Sequence, residues 1–566
     1  MNHSLSIAYF SMEIGLVAEL PTYAGGLGVL AGDTVRSAAD RGLDMIAVTL
    51  VHRRGYFRQQ LGADGWQSEE PVAWSPSDLL AELPARVTVG IEGRAVELRA
   101  WRYEVTGVGG HVVPVLFLDA DLAGNADPDR RLTDHLYGGD LRYRLCQELL
   151  LGIGGVRILR ALGFHEFRRF HMNEGHAAPL VLELGFEEMR RRGMTMVTRE
   201  IAADVKRRCV FTTHTPVPAG HDQFPLALVQ QVMTDYGRAY DALAADLLIG
   251  ETLNMTYLAL EASRYVNGVA RRHGEVSRRM FGEYEIDSIT NGVHVATWTA
   301  PPMQALLDRH IAGWREDNDS LRYALSIPPA EVWSAHETAK GVLVDFVNQR
   351  CGAQLRAGTF TLGFARRVTA YKRPDLLFFD LARLLAIHAE AGPIQIVLAG
   401  KAHPQDHGGK ALIRELHTTM QALRGQIEVA YLPEYDMAMA ARLVGGADLW
   451  LNTPQAPLEA SGTSGMKAAV NGVPQLSVLD GWWLEGCIEG VTGWAIGNDP
   501  GAGDAVDSRA SDADSMYRKL QDTIVPLYYR NRDRWIDVMR NAIALNGSFF
   551  NTERMIDEYV RKAYAT

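Results

Sequence analysis

The segment Pro457–Gly472, PLEASGTSGMKAAVNG, sets a lysine just inside what reads as a helix entrance crowded with small residues. Gly462, Thr463, Ser464 and Gly465 leave backbone N–H groups accessible there, a setting that favours an anion. Lys467 can neutralise a phosphate as a point charge, or form a Schiff base with an aldehyde cofactor. The bland alternative is a surface helix whose small residues merely allow tight packing. A second cluster, GFARRVTAYKRPD at Gly363–Asp375, places Arg366, Arg367, Lys372 and Arg373 after an apolar strand, in a loop expected to face a cleft. Four cations close together in an acidic chain need anionic company or full solvation. A third, TYAGGLGVLAGD at Thr22–Asp33, contains Gly26-x-Gly28-x-x-Ala31 with Asp44 downstream. This imitates a dinucleotide fingerprint, but the loop does not directly follow its strand and one glycine pattern is weak evidence. His403 and His407 are spaced like a metal pair; two histidines alone make a poor site, and no metal centre is expected.

These groups need a scaffold, and the chain repeats a short apolar run, a loop and a helical segment. SIAYFSM, DMIAVTLVH, RRFHMNE and CVFTTHTP read as strands in the first half; FTLGFARR, PIQIVLAGK, IEVAYLPEY, DLWLNTP and VPQLSVLDG in the second. Helices are expected from near Gly28, over Ala177–Arg192, Asp375–Ala391 and Lys410–Leu423, and several within Pro301–Gly352. The alternation predicts α/β architecture with parallel sheets covered by helices on both faces. Two such runs predict two Rossmann-like domains, 1–290 and 291–566, facing a central cleft where loops at strand carboxyl ends gather. The helical segment from Asp512 is expected to return to the first domain, and 497–514, rich in Gly, Asp and Ser, to be a flexible stretch.

The 566 residues carry a net charge of −11, with 57 basic against 68 acidic side chains, and no long basic run. Nucleic acid is therefore not expected as a general partner. No stretch of about 18 apolar residues suggests a membrane span, and MNHSLSIAYFSME lacks the pattern of a signal peptide. Cys146, Cys209, Cys351 and Cys487 form no C-x-x-C pair and read as buried reduced thiols. The expectation is a soluble cytoplasmic protein.

EASGTSGMK resembles the signature of the α-glucan (glycogen, starch and maltodextrin) phosphorylases, whose lysine carries pyridoxal 5′-phosphate. The resemblance implies that Lys467 is that lysine and that Gly462 and Thr463 hold the cofactor's phosphate. It implies further that Glu459, Ser461 and Gly462 meet hydroxyls of the reacting glucose. On the basic cluster it implies Arg366 at the cofactor phosphate, where the family often has lysine, with Arg367 and Lys372 clamping the substrate phosphate. On the glycine loop it implies that Gly26 offers its N–H to that phosphate. NEGH (Asn173–His176), TTHTP, VNGVARRHGEV and ITNGVHVATW match in the same chain order. They imply His214 and Asn291 at the glucose, Trp298 beside the cofactor, and Tyr435 of YLPEYDMAMA as a further cofactor contact. This chain departs from the family at Ser464-Gly465 (Gly-Asn), Thr369-Ala370 (His-Glu), Ala24 (Asn) and Asp436 (Arg).

The implied activity is a GT-B-type glycosyltransferase reaction: phosphorolysis of a terminal α-1,4-linked glucose to glucose 1-phosphate with retention. Its partners are then a glucan or maltodextrin and inorganic phosphate, with a homo-oligomer left open. No pair of opposed carboxylates of the hydrolytic kind is evident. Three other readings stay open: a nucleotide-sugar glucosyltransferase of the glycogen-synthase type, a glucan-binding homologue without catalysis, and, more distantly, a nicotinamide enzyme built on Gly26-x-Gly28.

Overall fold

Runs such as Ile7–Ser11, Met45–Leu50, Phe360–Ala365 and Ile394–Ala399 have no alternating polar residues, and in the structure each is a strand buried at every position. That is how parallel strands covered on both faces must read. The computed structural model describes residues 6–217, 220–234, 236, 248–497 and 508–565, which divide into two compact units.

The first unit comprises Met1–Phe57, Pro71–Ile289 and Ile556–Thr566. Its nine-stranded sheet runs, in spatial order, through strands starting at Asp287, Tyr265, Cys209, Arg169, Ile7, Met45, Val112, Arg94 and Ala81. The first seven pair in parallel, as the alternation predicts. The last two are an antiparallel addition. Glu92 and Gly93 join them with left-handed φ of 52° and 73°, the backbone of a two-residue hairpin turn. Helix Gly26–Asp40 starts two residues before the expected Gly28. The Ile556–Thr566 segment is held by buried polar bonds. Tyr564 Oη and His171 Nδ1 are 2.6 Å apart, Arg169 Nε donates to the Ala563 carbonyl, and Asn267 Nδ2 donates to Tyr559 Oη.

The second unit comprises Arg58–Glu70 and Thr290–Met555. Its six strands are all parallel, ordered Val429–Leu432, Ile394–Ala399, Phe360–Ala365, Leu449–Asn452, Gln475–Val478 and Gly493–Ile496. Pro301 and Pro329 open helices Pro301–His310 and Pro329–Cys351, and Gly352 at φ 64° ends the second, a usual division of labour between these residues. The helix expected over Asp375–Ala391 is broken. A 3₁₀ turn at Leu376–Phe378 precedes Asp380, whose side chain caps a new helix, Leu381–Glu390. Of the expected flexible stretch 497–514, residues 498–507 lie outside the described residues, and 509–514 are helical, forming the start of helix Arg509–Lys519. Cys351 ends its helix exposed rather than buried.

The hairpin Arg58–Glu70 belongs to this second unit through reciprocal bonds. Gln59 N–H donates to Glu434 Oε2 at 2.6 Å, Glu434 N–H returns to Gln59 Oε1 at 2.9 Å, and Gln59 Nε2 reaches the Gly400 carbonyl. Gln67 brackets Ala402 by its N–H and its carbonyl. The loops after the edge strand Val429–Leu432 and its neighbour Ile394–Ala399 are thus fixed by a distant piece of sequence. Among the described residues no helix is long and apolar enough to cross a membrane.

Candidate functional site

In the second unit the chemistry collects in loops leaving the carboxyl ends of the parallel strands, where such sheets place their ligands. Arg366 and Lys372 follow Phe360–Ala365, Glu459 follows Leu449–Asn452, and Asp480 follows Gln475–Val478. Glu459, 6 % exposed, accepts from Arg366 Nη2 at 2.6 Å and from Lys372 Nζ at 2.8 Å. Burial alone would raise its carboxyl, but the two cations outweigh burial and hold it down at about 2. Burial and the neighbouring Arg366 charge push the Lys372 ammonium below its ordinary range. Arg366 also donates to Asn452 Oδ1, while its buried Nε has no acceptor among the described residues. Lys372 stands 4.5 Å from the centre of the Tyr371 ring. Arg367 is exposed, and its charge together with that of Lys372 draws the Tyr371 hydroxyl down against the effect of burial.

The four-cation cluster is split. Arg373 sits at φ 45°, turned into the unit, and donates to the Thr453 and Pro454 carbonyls and to Asp512. It is a fastening of the loop, not a fourth cation at the site. The preceding strand could not reveal this, because a left-handed turn reverses the side chain's direction.

Lys467, 7 % exposed, lies on the six-residue helix Ser464–Ala469 with its Nζ 3.7 Å from the centre of the Trp298 ring. So short a helix contributes little dipole, and the lysine's placement matters more. Asn471 ties the two segments, donating to the Trp298 carbonyl and accepting from Ala300 N–H. At Gly465 a Cβ would fall 1.4 Å from Gln475 Oε1 and 2.9 Å from the Trp482 ring, so the amide and the indole crowd the glycine itself. Ser461 Oγ, both ends of the Gln475 amide and Trp482 Nε1 are buried without partners among the described residues. Buried polar groups are ordinarily paired. A lysine amine, an aromatic wall and unpaired donors around glycine fit a flat, polar, phosphate-bearing aldehyde such as pyridoxal phosphate. Gly462, at φ 87°, lies against Glu459. Tyr435 is near enough to Arg366 to feel its charge, although burial dominates and raises its hydroxyl. Asp436, where the family has arginine, caps helix Met437–Gly446 through Met439 N–H. Asn291 is buried with Oδ1 unpartnered among the described residues.

Gly26 and His214 lie in the first unit. Gly26 is exposed at the start of its helix. His214 Nε2 meets Asn173 Oδ1 at 2.7 Å, and its N–H, with the Thr215 hydroxyl, donates to Glu174 Oε2. Burial brings His214 down to about 4, so it is neutral at pH 7. Beneath these groups Asp222 accepts from Arg144 at 2.6 Å and lies 3.1 Å from His176 Nε2. Glu148, fully buried beside Asp222, is raised well above the ordinary range by burial and then by that neighbouring charge.

Several of these groups carry no signal in sequence spacing. Arg144, Glu148, Asp222 and Asp480 are isolated in the chain and acquire meaning only through neighbours brought in by folding. Asp480 accepts from Glu459 N–H at 2.8 Å and Gly481 N–H at 2.9 Å, yet burial raises its carboxyl to about 7. Among the described residues six non-glycine positions have left-handed φ, and Tyr137, Glu174, Arg373 and Glu434 are four of them. Strain of this kind collects at functional loops.

A family profile described as carbohydrate phosphorylase matches residues 229–489. The maltodextrin phosphorylase of Thermococcus litoralis is 37% identical over 99% of this chain and 70% of its own length. The glycogen phosphorylase of Mycobacterium tuberculosis is 39% identical with the same coverage. An uncharacterized protein of Methanocaldococcus jannaschii is 32% identical over 98% of this chain and 99% of its own. With 99% of the chain aligned to relatives that are 37% and 39% identical, the chain belongs to the carbohydrate phosphorylase family.

Proposed function

We propose that this protein is an α-glucan phosphorylase, transferring a terminal α-1,4-linked glucose from a glucan or maltodextrin to inorganic phosphate with retention, with pyridoxal 5′-phosphate held at Lys467. The observation that carries the reading is the buried Arg366–Glu459–Lys372 constellation, whose Glu459 lies in the loop leading into the Lys467 helix. The reaction breaks the glycosidic C1–O bond, forms a C1–O bond to phosphate and delivers a proton to the departing oxygen. The cofactor, when bound, supplies a phosphate group that exchanges a proton with the reacting phosphate.

The chain's own residues then have defined tasks. Lys372 and Arg366, balanced by one carboxylate, form a site of net charge +1 that a substrate anion completes. In a buried setting such preorganised cations stabilise developing charge strongly. Arg367 offers a planar fork for phosphate from the exposed side, and Gly26 an N–H. His214, neutral and held by Asn173, serves sugar hydroxyls as a hydrogen-bond partner and not as a cation. Arg366, Gly462, Thr463, Trp298 and Tyr435 are assigned to the cofactor, Arg366 at its phosphate, and Ser461, Glu459, Gly462 and Asn291 to the glucose. The proposal extends to a GT-B pair of Rossmann-like domains, 1–290 and 291–566. Its support is that each unit has its own largely parallel sheet with polar groups at strand ends, and that Ile556–Thr566 clusters with the first.

The test is borohydride reduction of the purified protein, peptide mapping, and assay of glucose 1-phosphate release from maltodextrin. A pyridoxyl group on Lys467, with loss of both cofactor and phosphorolysis in Lys467→Ala, is the expected result. Turnover of ADP-glucose or UDP-glucose without cofactor would overturn the reading in favour of a nucleotide-sugar enzyme.

A further inference from the structure

Glu13 is a buried carboxylate with no place in the assignments above. It follows strand Ile7–Ser11 and is 3 % exposed. Its Oε2 accepts from Ala24 N–H at 2.6 Å and Gly25 N–H at 3.3 Å, while Oε1 accepts from the Tyr137 hydroxyl at 2.9 Å. Gly28 completes the fit, since a Cβ there would stand 2.6 Å from Oε2 and 3.0 Å from Cγ. The backbone beside Glu13 runs along the same loop: Ile14 N–H donates to the Thr22 carbonyl and Gly15 N–H to that of Gly28. One carboxylate therefore sits inside the turn that delivers Gly26, drawing the two preceding amides inward.

Tyr137 extends the arrangement. Held at φ 55°, it carries the Arg144 guanidinium 4.9 Å over its ring and lies 5.6 Å from the His176 ring, and Arg144 and His176 both meet Asp222. The glycine loop and the Glu174–His176 turn are thus referenced to one another through Glu13 and Tyr137.

We propose that Glu13 is a positioning residue for phosphate. By fixing the Ala24 and Gly25 amides it sets the direction in which Gly26 presents its N–H, while the Tyr137 hydroxyl holds the carboxylate in place. The inference rests on the phosphorylase reading, in which Gly26 meets the substrate phosphate. Misdirecting a group by about 1 Å costs up to about 10²-fold in such reactions.

The holoenzyme is assayed at varied phosphate and varied maltodextrin for wild type, Glu13→Leu, Glu13→Asp and Glu13→Gln. The leucine variant leaves both amides without an acceptor. Its KM for phosphate is expected to rise roughly 10- to 100-fold, with the KM for maltodextrin and the reducible cofactor content unchanged. Glutamine can accept from the amides with Oε1 and donate to Tyr137 Oη with Nε2, so Glu13→Gln is expected to fall within a few-fold of wild type. Should the leucine variant fail to fold, Glu13→Asp, which withdraws the oxygens by one methylene, must show the selective rise instead. An unchanged phosphate KM in whichever of these two folds overturns the inference, as does an equal rise for both substrates or a glutamine variant as impaired as leucine. A wild-type protein without phosphorolysis overturns the underlying reading as well, so the two failures are distinguishable.

Discussion

Asp480 should make the second unit less stable as pH rises, and Asp480→Asn should remove that dependence. In the folded chain its carboxyl is raised to about 7 from an ordinary value of 3.8, because burial outweighs the two N–H groups it accepts. The folded state thus keeps a proton that the unfolded chain has released. A raised carboxyl contributes its full stability below about pH 4, loses it progressively as pH climbs through 7, and changes little above. Between pH 5.5 and 8 the difference in ionisation integrates to about 2 kcal/mol at 1.36 kcal/mol per pH unit. For a unit of roughly 280 residues this corresponds to about 3–4 °C in Tm. The amide variant loses one of two acceptor positions, a penalty that is the same at every pH. Other titrating groups are common to both proteins and cancel in the difference. Melting curves of the two proteins at pH 5.5, 7 and 8, followed by tryptophan fluorescence, give the measurement. The Tm of Asp480→Asn minus that of wild type should grow by about 3–4 °C from pH 5.5 to 8. A difference constant to within about 1 °C would show that the two N–H bonds dominate and that the carboxylate is already ionised at pH 5.5.

Three further outcomes follow from the contacts described. Lys372→Met leaves the buried Glu459 with Arg366 as its remaining charged partner and should destabilise the second unit by about 3–5 kcal/mol; an unchanged melting temperature would refute the pairing. Gln59→Ala removes the side-chain bonds to Glu434 N–H and the Gly400 carbonyl, leaving only the backbone N–H of residue 59 on Glu434, and should cost about 1–3 kcal/mol. Hydrogen exchange should then accelerate selectively at the amides of 58–70 and 433–435, and uniform exchange would count against the strap. Tyr564→Phe leaves His171 Nδ1 buried without its partner and should lower the first unit's stability by a similar 1–3 kcal/mol, measured by proteolytic susceptibility of the amide-bonded C-terminal segment against wild type.

The parts legible in the sequence were local. Unbroken apolar runs located most of the parallel strands in both sheets, because burial on both faces removes the need for alternation. The Lys467 segment was legible for the same reason: its glycines, its helix entrance and its lysine lie within a few residues of one another. What resisted reading was assembled from afar. Glu459 meets Lys372 across 87 positions, and nothing near Glu459 announces that it will lie between two cations. Arg373 looked equivalent to its neighbours until a left-handed φ turned it inward. The break at Asp380 was written in the chain, since Asp favours caps, but an apolar run on both sides masked it. The antiparallel hairpin Ala81–Thr106 was visible in principle at Glu92-Gly93, a turn pair that parallel alternation gave no reason to seek.

The two units are interleaved along the chain, with Arg58–Glu70 given to the second and Ile556–Thr566 returned to the first. Synthesis from the ribosome therefore meets an order problem. The first unit's sheet is available once Ile289 has emerged, yet His171 Nδ1 gains its partner, and Thr212 and Asn267 a further one, only when Tyr564 and Tyr559 are made. Gln59 and Gln67 wait likewise for Gly400, Ala402 and Glu434. Glu434 is made well before Tyr559, so a product stopped between them could seat the Arg58–Glu70 hairpin while still lacking the bonds that Tyr559 and Tyr564 make to the first unit.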